Sequence, residues 1–297
     1  MAPTRSNTAA IGTNSAISKE PGPKPSLTSQ FGRLRGEDFM NSLATRQQKL
    51  PALTEVTHIF PSCDVLPENL LRLYVCFSNS MQRGRALEEI SLLDSEGQPV
   101  ADVLYRPPVE LWDRSMQRLT VLLDPGRLKR GVGPNRKLGP PLKVGQMYKL
   151  VIGAGMVDLS DRQLNQTFFK HFRVTGAVRR RIAVEHWKIV LPVTRSRQPL
   201  VFMFARPLDW ALLSHKIAIT SAGEQSIDGQ ITIDQCEKRW SFTPTSPWVA
   251  GLYRVRVASS LEDVCGNSVV AAFDRPLRTD NDLSYETTIS SIAFDLA

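Results

Sequence analysis

The sequence contains no segment of the kind that crosses a membrane or directs export. None of its apolar runs approaches the roughly 18 residues that a transmembrane helix needs. Its first eight residues, from Met1 to Thr8, lack the apolar core of a signal peptide, which argues against classical secretion of the chain as written. A different start codon would remove that argument.

Cysteine is scarce as well. The four cysteines, Cys63, Cys76, Cys236 and Cys265, are too few for a disulfide scaffold, and no two form the Cys-x-x-Cys pair of zinc and redox sites. The chain contains an internal repeat, described below, and each copy carries two of the cysteines. Bridges between Cys63 and Cys76 and between Cys236 and Cys265 are therefore conceivable. Because the two halves do not place their cysteines equivalently, we expect free thiols.

No motif of a known catalytic centre is present. The histidines do not have the His-x-x-x-His spacing of a zinc site. The sequence also lacks a Gly-x-Ser-x-Gly elbow, a phosphate-binding Gly-x-x-x-x-Gly-Lys loop and a Gly-x-Gly-x-x-Gly fingerprint. Catalytic groups can assemble from distant residues, so a pair of acids brought together by the fold stays an alternative. We predict that the protein is not an enzyme, has no catalytic residues and binds no cofactor.

What is present is an ordinary globular composition with a basic bias. The 297 residues suit about two domains, and 42% of them are hydrophobic. The formal net charge is +8 and the pI is about 9.5. This balance permits an acidic partner, such as nucleic acid, an anionic glycan or a lipid headgroup, without requiring one.

The composition changes near residue 53. Residues 1–52 are rich in Ser, Thr, Pro, Gly and Asn, and the stretch Pro21-Gly-Pro-Lys-Pro25 opposes both helix formation and strand pairing. We predict a disordered leader there. From about Thr54 onward, short apolar runs are broken by Pro, Gly, Asp and Asn, which is typical of an all-β sandwich.

Two stretches of the chain repeat one another. Leu71 to Phe77 is echoed at Gln198 to Phe204, and Ile90 to Asp94 at Ile217 to Ser221, both at an offset of 127 residues. Repetition on this scale indicates tandem copies of one small domain, each with its own core.

The first of these stretches alternates as a half-buried strand does. One face is apolar and the other is mixed, because successive side chains of a strand point to opposite sides. The apolar face carries Leu71, Leu73, Val75 and Phe77, and the mixed face carries Arg72, Tyr74 and Cys76.

A second shared pattern joins a turn, a tyrosine and an acidic hairpin. Gly145 and Tyr148 precede an alternating strand in the first copy, and Gly251 and Tyr253 do so in the second. Each strand runs into an acidic turn, Asp158-Leu-Ser-Asp161 or Asp263-Val-Cys-Gly-Asn267. The arrangement is close to the tyrosine corner of immunoglobulin-like sandwiches.

On these motifs, together with Phe77-Ser-Asn-Ser-Met81 and its partner Phe204-Ala-Arg-Pro-Leu208, the chain resembles the bacterial Ig-like domains of surface-layer and other cell-surface proteins. The resemblance covers roughly residues 54–276, and its motifs are structural. It implies sandwich modules that serve as spacers, stalks or adhesive platforms outside the cell, with a protein or glycan as surface partner. The chain departs from the pattern at an insertion, 124–141, and at Ser160-Asp161, which replaces the Gly-Asn of the second copy.

We therefore predict an all-β fold of two tandem Ig-like antiparallel β-sandwiches with a disordered N-terminal leader. The segments are a leader at 1–52, a first sandwich at 53–176 with a basic loop insertion at 124–141, a second sandwich at 183–276, and a C-terminal tail at 277–297 with a possible edge strand. Within the second sandwich, Leu208 to Leu213 is expected to form a helical turn anchored by Trp210.

The insertion is the first candidate binding site. It carries Arg127, Lys129, Arg130, Arg136 and Lys137, and has no acidic residue after Asp124. Such a cluster can hold phosphate or sulfate groups by charge-assisted hydrogen bonds. The alternative is a solvated loop without a ligand. The insertion contains no aromatic residue on which a base could stack, which disfavours nucleic acid as its partner.

Two tryptophans are further candidates. An indole face can lie against a sugar ring, and Trp112 and Trp248 sit beside predicted loops. Trp240 alternates with Phe242 on a predicted strand and is assigned to the core.

The acidic turns offer weak calcium candidates: Asp158 and Asp161 in one turn, and Asp263 and Asn267 in the other. Calcium takes six to eight oxygen ligands, and each turn supplies two such side chains. Asp and Asn are also ordinary turn residues, so we favour turn chemistry and predict no metal.

These observations favour a non-catalytic binding or structural module of the cell envelope or surface. The alternative is a protein that binds a polyanion, an anionic glycan or nucleic acid, through the basic insertion.

Overall fold

A computed structural model describes residues 53–107, 109–274 and 290–297, and strands dominate it. The predicted leader, 1–52, and residues 277–289 of the predicted tail lie outside the described residues. The fold consists of two tandem Ig-like antiparallel β-sandwiches, as the sequence predicts.

The first sandwich contains two four-stranded sheets, ordered β1-β3-β6-β5 and β2-β8-β7-β4. All pairings are antiparallel except that of β2 with β8. The strands are β1 (Val56–Phe60), β2 (Val65–Pro67), β3 (Arg72–Phe77), β4 (Ile90–Leu93), β5 (Leu111–Trp112), β6 (Arg118–Leu122), β7 (Met147–Ile152) and β8 (Phe168–Thr175).

The second sandwich contains a four-stranded sheet, β12-β13-β10-β9, and a three-stranded sheet, β11-β14-β15. Its strands are β9 (Lys188–Val190), β10 (Leu200–Met203), β11 (Ile217–Ser221), β12 (Gly229–Asp234), β13 (Arg239–Pro244), β14 (Gly251–Val257) and β15 (Ser290–Leu296). The last strand lies beyond the predicted range 183–276 and pairs with β14 from Gly251 to Val257. Residues assigned to the tail therefore form an edge of the second sandwich.

Each sandwich encloses its own hydrophobic core, because alternate residues of facing sheets point inward. The first core includes Leu73, Val75 and Phe77 of β3, which confirms the predicted alternation. The second includes Phe202 and Trp240, and Trp240 is fully buried as expected. Burying a side chain of this size contributes about 1.5–3 kcal/mol.

Both predicted tyrosine corners are formed. The Tyr148 hydroxyl accepts a hydrogen bond of 3.1 Å from the backbone N–H of Lys143. The Tyr253 hydroxyl donates to the carbonyl oxygen of Val249 at 2.9 Å. Each tyrosine thus ties the start of its strand to the loop before it, as in other Ig-like sandwiches.

Three short helices interrupt the strands: α1 (Pro125–Leu128), α2 (Gly133–Leu138) and α3 (Trp210–Leu213). The first two occupy the insertion, so its prediction as a loop is wrong. Asp124 caps α1 by accepting the N–H of Gly126 at 2.8 Å, and the buried Leu128 belongs to the first core. The third helix is the turn expected at Leu208 to Leu213, and Asp209 caps it by accepting the N–H of Leu212 at 3.0 Å.

Candidate functional site

The most elaborate group of polar contacts lies where the two sandwiches meet. Arg72 and Tyr74 project from the mixed face of β3 toward Asp209, the capping residue of α3. The Tyr74 hydroxyl donates to the Asp209 carboxylate at 2.8 Å, and Arg72 Nε lies 3.2 Å from the same carboxylate. Arg72 also pairs with Glu262. One buried carboxylate of the second sandwich therefore binds two side chains of the first.

These contacts change the ionisation of the tyrosine. Burial raises the pKa of Tyr74, and the neighbouring negative charge of Asp209 raises it further, while Arg72 opposes the change. Burial also disfavours the charged form of Arg72, but the negative charges of Asp209 and Glu262 and the hydrogen bond to Glu262 outweigh it and raise the pKa of Arg72. Tyr74 is thus held as a neutral hydrogen-bond donor and Arg72 as a cation.

Aromatic stacking extends the junction. The rings of Phe60 and Trp210 are nearly parallel, with centroids 4.0 Å apart and an interplanar angle of 8°. Phe60 ends β1, and Trp210 begins α3. Aromatic pairs of this kind contribute about 0.5–1.5 kcal/mol beyond the area that they bury.

A turn of the second sandwich inserts into the first. The Val264 carbonyl oxygen accepts the backbone N–H of Leu71 at 2.9 Å, and the Cys265 thiol donates to Asn69 Oδ1 at 3.3 Å. Val264 and Cys265 are buried and belong to the core cluster of the first sandwich. The first core is therefore completed by residues of the second sandwich.

A buried glutamate closes another part of the junction. Glu237 is 2% exposed, and its carboxylate accepts the backbone N–H of Ser62 at 3.0 Å. Lys170 Nζ donates to the carbonyl oxygen of Ser62 at 3.2 Å. Burial raises the pKa of Glu237, and the hydrogen bond from Ser62 only partly offsets this.

A cavity of about 400 Å³ lies at the junction. Its walls include three of the four cysteines, Cys63, Cys236 and Cys265, together with Arg206 and Asp263. The Arg206 guanidinium is ion-paired with Asp263 at 2.7 Å. In the described part of the chain, no group of three or more His, Cys, Asp or Glu side chains is arranged to hold a metal ion.

The structure separates the predicted anion-binding residues. Arg127 is 7% exposed and donates to the carbonyl oxygens of Asp102 at 2.8 Å and Pro140 at 2.9 Å, so its placement on an exposed binding loop is wrong. Arg130 is paired with Asp274 at 2.6 Å. The Lys129 ammonium lies 4.9 Å from the centre of the Phe273 ring.

The remaining two bases of the predicted set, Arg136 and Lys137, are exposed on α2. Lys143, just beyond the insertion, is exposed as well. The basic surface of this region is therefore smaller than the sequence suggests.

The prediction of Trp248 as an exposed sugar platform is wrong. Trp248 is 2% exposed, its Nε1 donates to the carbonyl oxygen of Gln198 at 2.8 Å, and its ring packs edge-on against Tyr253. Trp112 is half-buried, and its Nε1 donates to Glu110 at 2.7 Å. Trp112 is not fully buried, and its role as a platform remains a prediction.

The calcium candidates serve as turn residues. Asp158 Oδ1 accepts the N–H groups of Ser160 at 2.8 Å and Arg162 at 3.0 Å, and its other oxygen is paired with the Arg162 guanidinium. Asp161 accepts the side-chain amide of Gln82 at 2.7 Å. Desolvation raises the pKa of Asp158, but hydrogen bonds, first from Thr54 and then from Arg162, lower it to about 2.

The second turn repeats this arrangement. Asp263 Oδ1 accepts the N–H groups of Cys265 and Asn267, each at 2.9 Å, while Arg206 pairs with Oδ2. In both turns an arginine and backbone N–H groups occupy the carboxylate that calcium would need.

All four cysteines are free thiols, as expected. The conceivable pairs Cys63–Cys76 and Cys236–Cys265 are not formed. Instead, Cys63 of the first sandwich lies against Cys236 of the second. Neither this pair nor the junction residues Asp209 and Glu237 were predicted from the sequence, and the one local signal was an acidic residue, Asp209, near the start of the predicted helical turn.

Comparison with known proteins does not assign this chain to a family. No protein-family model matches it, and no curated protein matches it. In the described part of the chain, no helix is long and apolar enough to cross a membrane.

Solved structures give distant likenesses. A segment of alpha-2-macroglobulin from Escherichia coli aligns with 84% of this chain and 73% of its own, at 9% identity and a TM-score of 0.28. Domains 1–6 of surface-layer protein SbsC align with 83% of this chain at 10% identity and a TM-score of 0.30, and this chain covers 41% of that one. A titin Ig tandem aligns with 82% of this chain and 97% of its own, at 10% identity and a TM-score of 0.24. These likenesses assign neither a family nor a function, and the Ig-like fold stands on the strand order and tyrosine corners of the chain itself.

Proposed function

We propose that the protein is a non-catalytic structural or binding module of the cell envelope or surface, in which two Ig-like sandwiches act as one stiff unit. The observation that carries this proposal is the junction. Val264 and Cys265 of the second sandwich complete the core of the first, and Asp209 binds Arg72 and Tyr74 across the same boundary.

Stiffness follows from what a hinge motion would expose. Domains of one chain move relative to each other unless their interface is large and apolar. Here separation would carry Val264 and Cys265 out of an apolar core and would leave the buried carboxylate of Asp209 without its cationic partner. Both changes are costly, because buried apolar area and buried charge pairs are lost together.

The buried titratable groups of the junction fit this role. Asp209 binds Arg72 and Tyr74 and caps α3, and Glu237 accepts the N–H of Ser62. Each carboxylate thus holds the two sandwiches together. The location at the envelope or surface is proposed from the resemblance of the sequence motifs to bacterial Ig-like domains.

Protease shaving of intact cells of the source organism tests the location. The expected result is that externally added protease digests the protein while a cytosolic marker stays intact. Mass spectrometry of the released peptides identifies the digested regions. Recovery of the intact chain with the cytosolic marker, before and after shaving, would overturn the envelope proposal.

Small-angle X-ray scattering tests the stiff unit. The full chain is compared with a variant in which Asp209→Ala and Trp210→Ala remove the polar and aromatic contacts. The variant is expected to give a broader distribution of interatomic distances than the wild type. Equal distributions for two folded proteins would show that the junction does not govern stiffness.

We also propose a second, alternative function, binding of a polyanion by the remaining basic surface. It rests on the exposure of Arg136, Lys137 and Lys143, which form no ion pair within the described residues. Phosphate or sulfate groups attract such side chains, and the affinity falls as salt rises because counterions are released. Arg127 is excluded from this site because its guanidinium is committed to backbone carbonyl oxygens.

Heparin chromatography distinguishes this alternative. The variant Arg136→Ala/Lys137→Ala is compared with a control of equal charge loss, Arg254→Ala/Arg256→Ala, on the exposed face of β14. The alternative requires elution of wild type above about 0.15 M salt, the ionic strength of physiological conditions, and earlier elution of the first variant only. An equal decrease in the eluting salt concentration for both variants would show that heparin binding depends only on net charge, which would overturn this alternative.

A further inference from the structure

Two cysteines from different sandwiches lie side by side at the junction. Cys63 follows β1 in the first sandwich, and Cys236 lies in the hairpin between β12 and β13 of the second. The Cys63 sulfur is 3.6 Å from the carbonyl oxygen of Cys236, although 173 positions separate the two residues. Both thiols line the junction cavity.

The neighbouring Cys236 also affects the ionisation of the Cys63 thiol. Burial raises the pKa of Cys63 to about 12, and a hydrogen bond with the side chain of Cys236 contributes to this rise. Cys63 is 5% exposed, whereas Cys236 is half-buried. Of the two, Cys236 is therefore the thiol that a dissolved reagent reaches first.

The backbone around Cys236 is held in a strained form. Gln235, Cys236 and Glu237 have φ values of 50°, 60° and 55°, so three consecutive residues adopt the left-handed conformation. A residue other than glycine adopts this conformation at a cost in energy, and the conformation persists only where surrounding contacts impose it. Here the contacts come from the first sandwich: Glu237 accepts the N–H of Ser62, and Cys236 packs against the first core. These contacts hold the hairpin so that Cys236 lies beside Cys63, the residue that follows Ser62.

We propose that Cys63 and Cys236 are a thiol pair that oxidises to a disulfide, and that this covalent bridge locks the two sandwiches together. The inference rests on the geometry of the junction and does not depend on where the protein acts. It concerns a reaction of the protein itself, with a small disulfide such as oxidised glutathione as the oxidant.

The reaction proceeds by two exchanges. The Cys236 thiolate attacks one sulfur of oxidised glutathione, the sulfur–sulfur bond of that molecule breaks, and one glutathione thiolate leaves. The Cys63 thiolate then attacks the Cys236 sulfur and displaces the second glutathione. The two protons released by the cysteines are taken up by the two glutathione thiolates. The protein loses two electrons, and oxidised glutathione gains them.

Proximity favours the second step over the release of a mixed disulfide, because the attacking sulfur is already beside its target. The high pKa of Cys63 makes this step slow at neutral pH and faster in alkaline solution, since only the thiolate attacks. Once formed, the bridge closes a loop of more than 170 residues and constrains the unfolded chain strongly.

Peptide mapping of the full chain after treatment with oxidised glutathione at pH 8.5 tests the proposal. The expected result is the loss of two thiols from a monomeric protein, with one cross-linked peptide that joins Cys63 to Cys236. Its thermal unfolding midpoint rises by about 5–10 °C and returns to the starting value with dithiothreitol.

Single variants provide the controls. Cys63→Ala and Cys236→Ala are expected to abolish the cross-link and the shift in midpoint, whereas Cys76→Ala, at a half-buried thiol elsewhere, leaves both unchanged. A cross-link through Cys265 or Cys76 in the wild type would overturn the proposal, as would glutathione retained on Cys236. If a variant does not fold, the peptide map of the oxidised wild type decides the test by itself.

Discussion

The phenol of Tyr74 donates a hydrogen bond of 2.8 Å to the carboxylate of Asp209, which lies 135 positions later in the chain. The same carboxylate is paired with Arg72 and caps α3, so a single side chain supports three contacts. Groups shared in this way do not act independently, and their removal has effects larger than any one contact.

The first prediction concerns this carboxylate. Asp209→Ala removes one of the two carboxylates paired with Arg72, the acceptor of the Tyr74 hydroxyl and the cap of α3, and it leaves Glu262 as the remaining partner of Arg72. We expect a loss of about 3–5 kcal/mol in the free energy of unfolding, because a buried ion pair is broken while the Tyr74 hydroxyl and the first turn of α3 lose their acceptor. Urea denaturation followed by tryptophan fluorescence measures it. Asp234→Ala is the control, since its pair with Arg239 is partly exposed and should contribute only about 0–1 kcal/mol. Equal losses in the two variants would contradict the central role of Asp209.

The second prediction concerns the inserted turn. Gly266 has φ of 78°, and a Cβ added there would lie 2.6 Å from Leu71 Cδ2 in the first sandwich. Gly266→Ala is expected to destabilise the protein through both the backbone conformation and this contact. Gly97→Ala is a matched control, because Gly97 has φ of 81° and open space around it. We expect Gly266→Ala to cost about 1–3 kcal/mol more than the control in urea unfolding. Equal losses of unfolding free energy in the two variants would mean that the contact between the added methyl group and Leu71 is relieved without a measurable cost.

The third prediction separates structure from binding in the insertion. Arg127 donates to several backbone carbonyl oxygens, a fork of contacts that a lysine cannot reproduce. Arg127→Lys keeps the charge and is expected to reduce stability by about 1–3 kcal/mol, because buried acceptors lose their donor. Lys137→Ala, at an exposed position, should change stability by less than about 0.5 kcal/mol. Thermal and urea unfolding of the two variants measure the difference, and an unaffected Arg127→Lys would return Arg127 to the list of binding candidates.

The fourth prediction concerns acid. The pKa of Asp158 lies at about 2 in the folded protein against an ordinary value of 3.8, so the folded state favours the charged carboxylate. Its contribution to stability is complete above about pH 4 and is lost as the pH falls toward 2. The difference in unfolding free energy between wild type and Asp158→Asn should therefore shrink across this range. Asp161→Asn, at an exposed position in the same turn, is the control. A difference independent of pH would contradict the assignment.

The local patterns of the sequence predicted much of the fold. The alternation of Leu73, Val75 and Phe77 placed β3 and its inward face correctly, and the Gly–Tyr pairs located both tyrosine corners. These features depend on a strand period of two and on turn residues, which are properties of neighbouring positions. Trp248 was mistaken for a surface residue because its flanking residues resemble a loop, whereas Tyr253 and Phe242 cover it in the fold.

The contacts at the junction between the two sandwiches could not be predicted from these local patterns. Tyr74 was placed on the face opposite the core, which is correct, but that face is buried by Asp209 and Trp210 of the second sandwich. Arg127 was interpreted from its charge, although its surroundings consist of carbonyl oxygens that the insertion folds around it.

The sequence by itself determined two copies of an Ig-like sandwich, because strand alternation, turn glycines and corner tyrosines are written within short windows. Only the tertiary structure decided which outer face meets which turn, and therefore that Cys63 lies beside Cys236 and Tyr74 beside Asp209. Contacts between residues more than 130 positions apart leave no periodic signal in the sequence, since their geometry is set by how two completed cores pack.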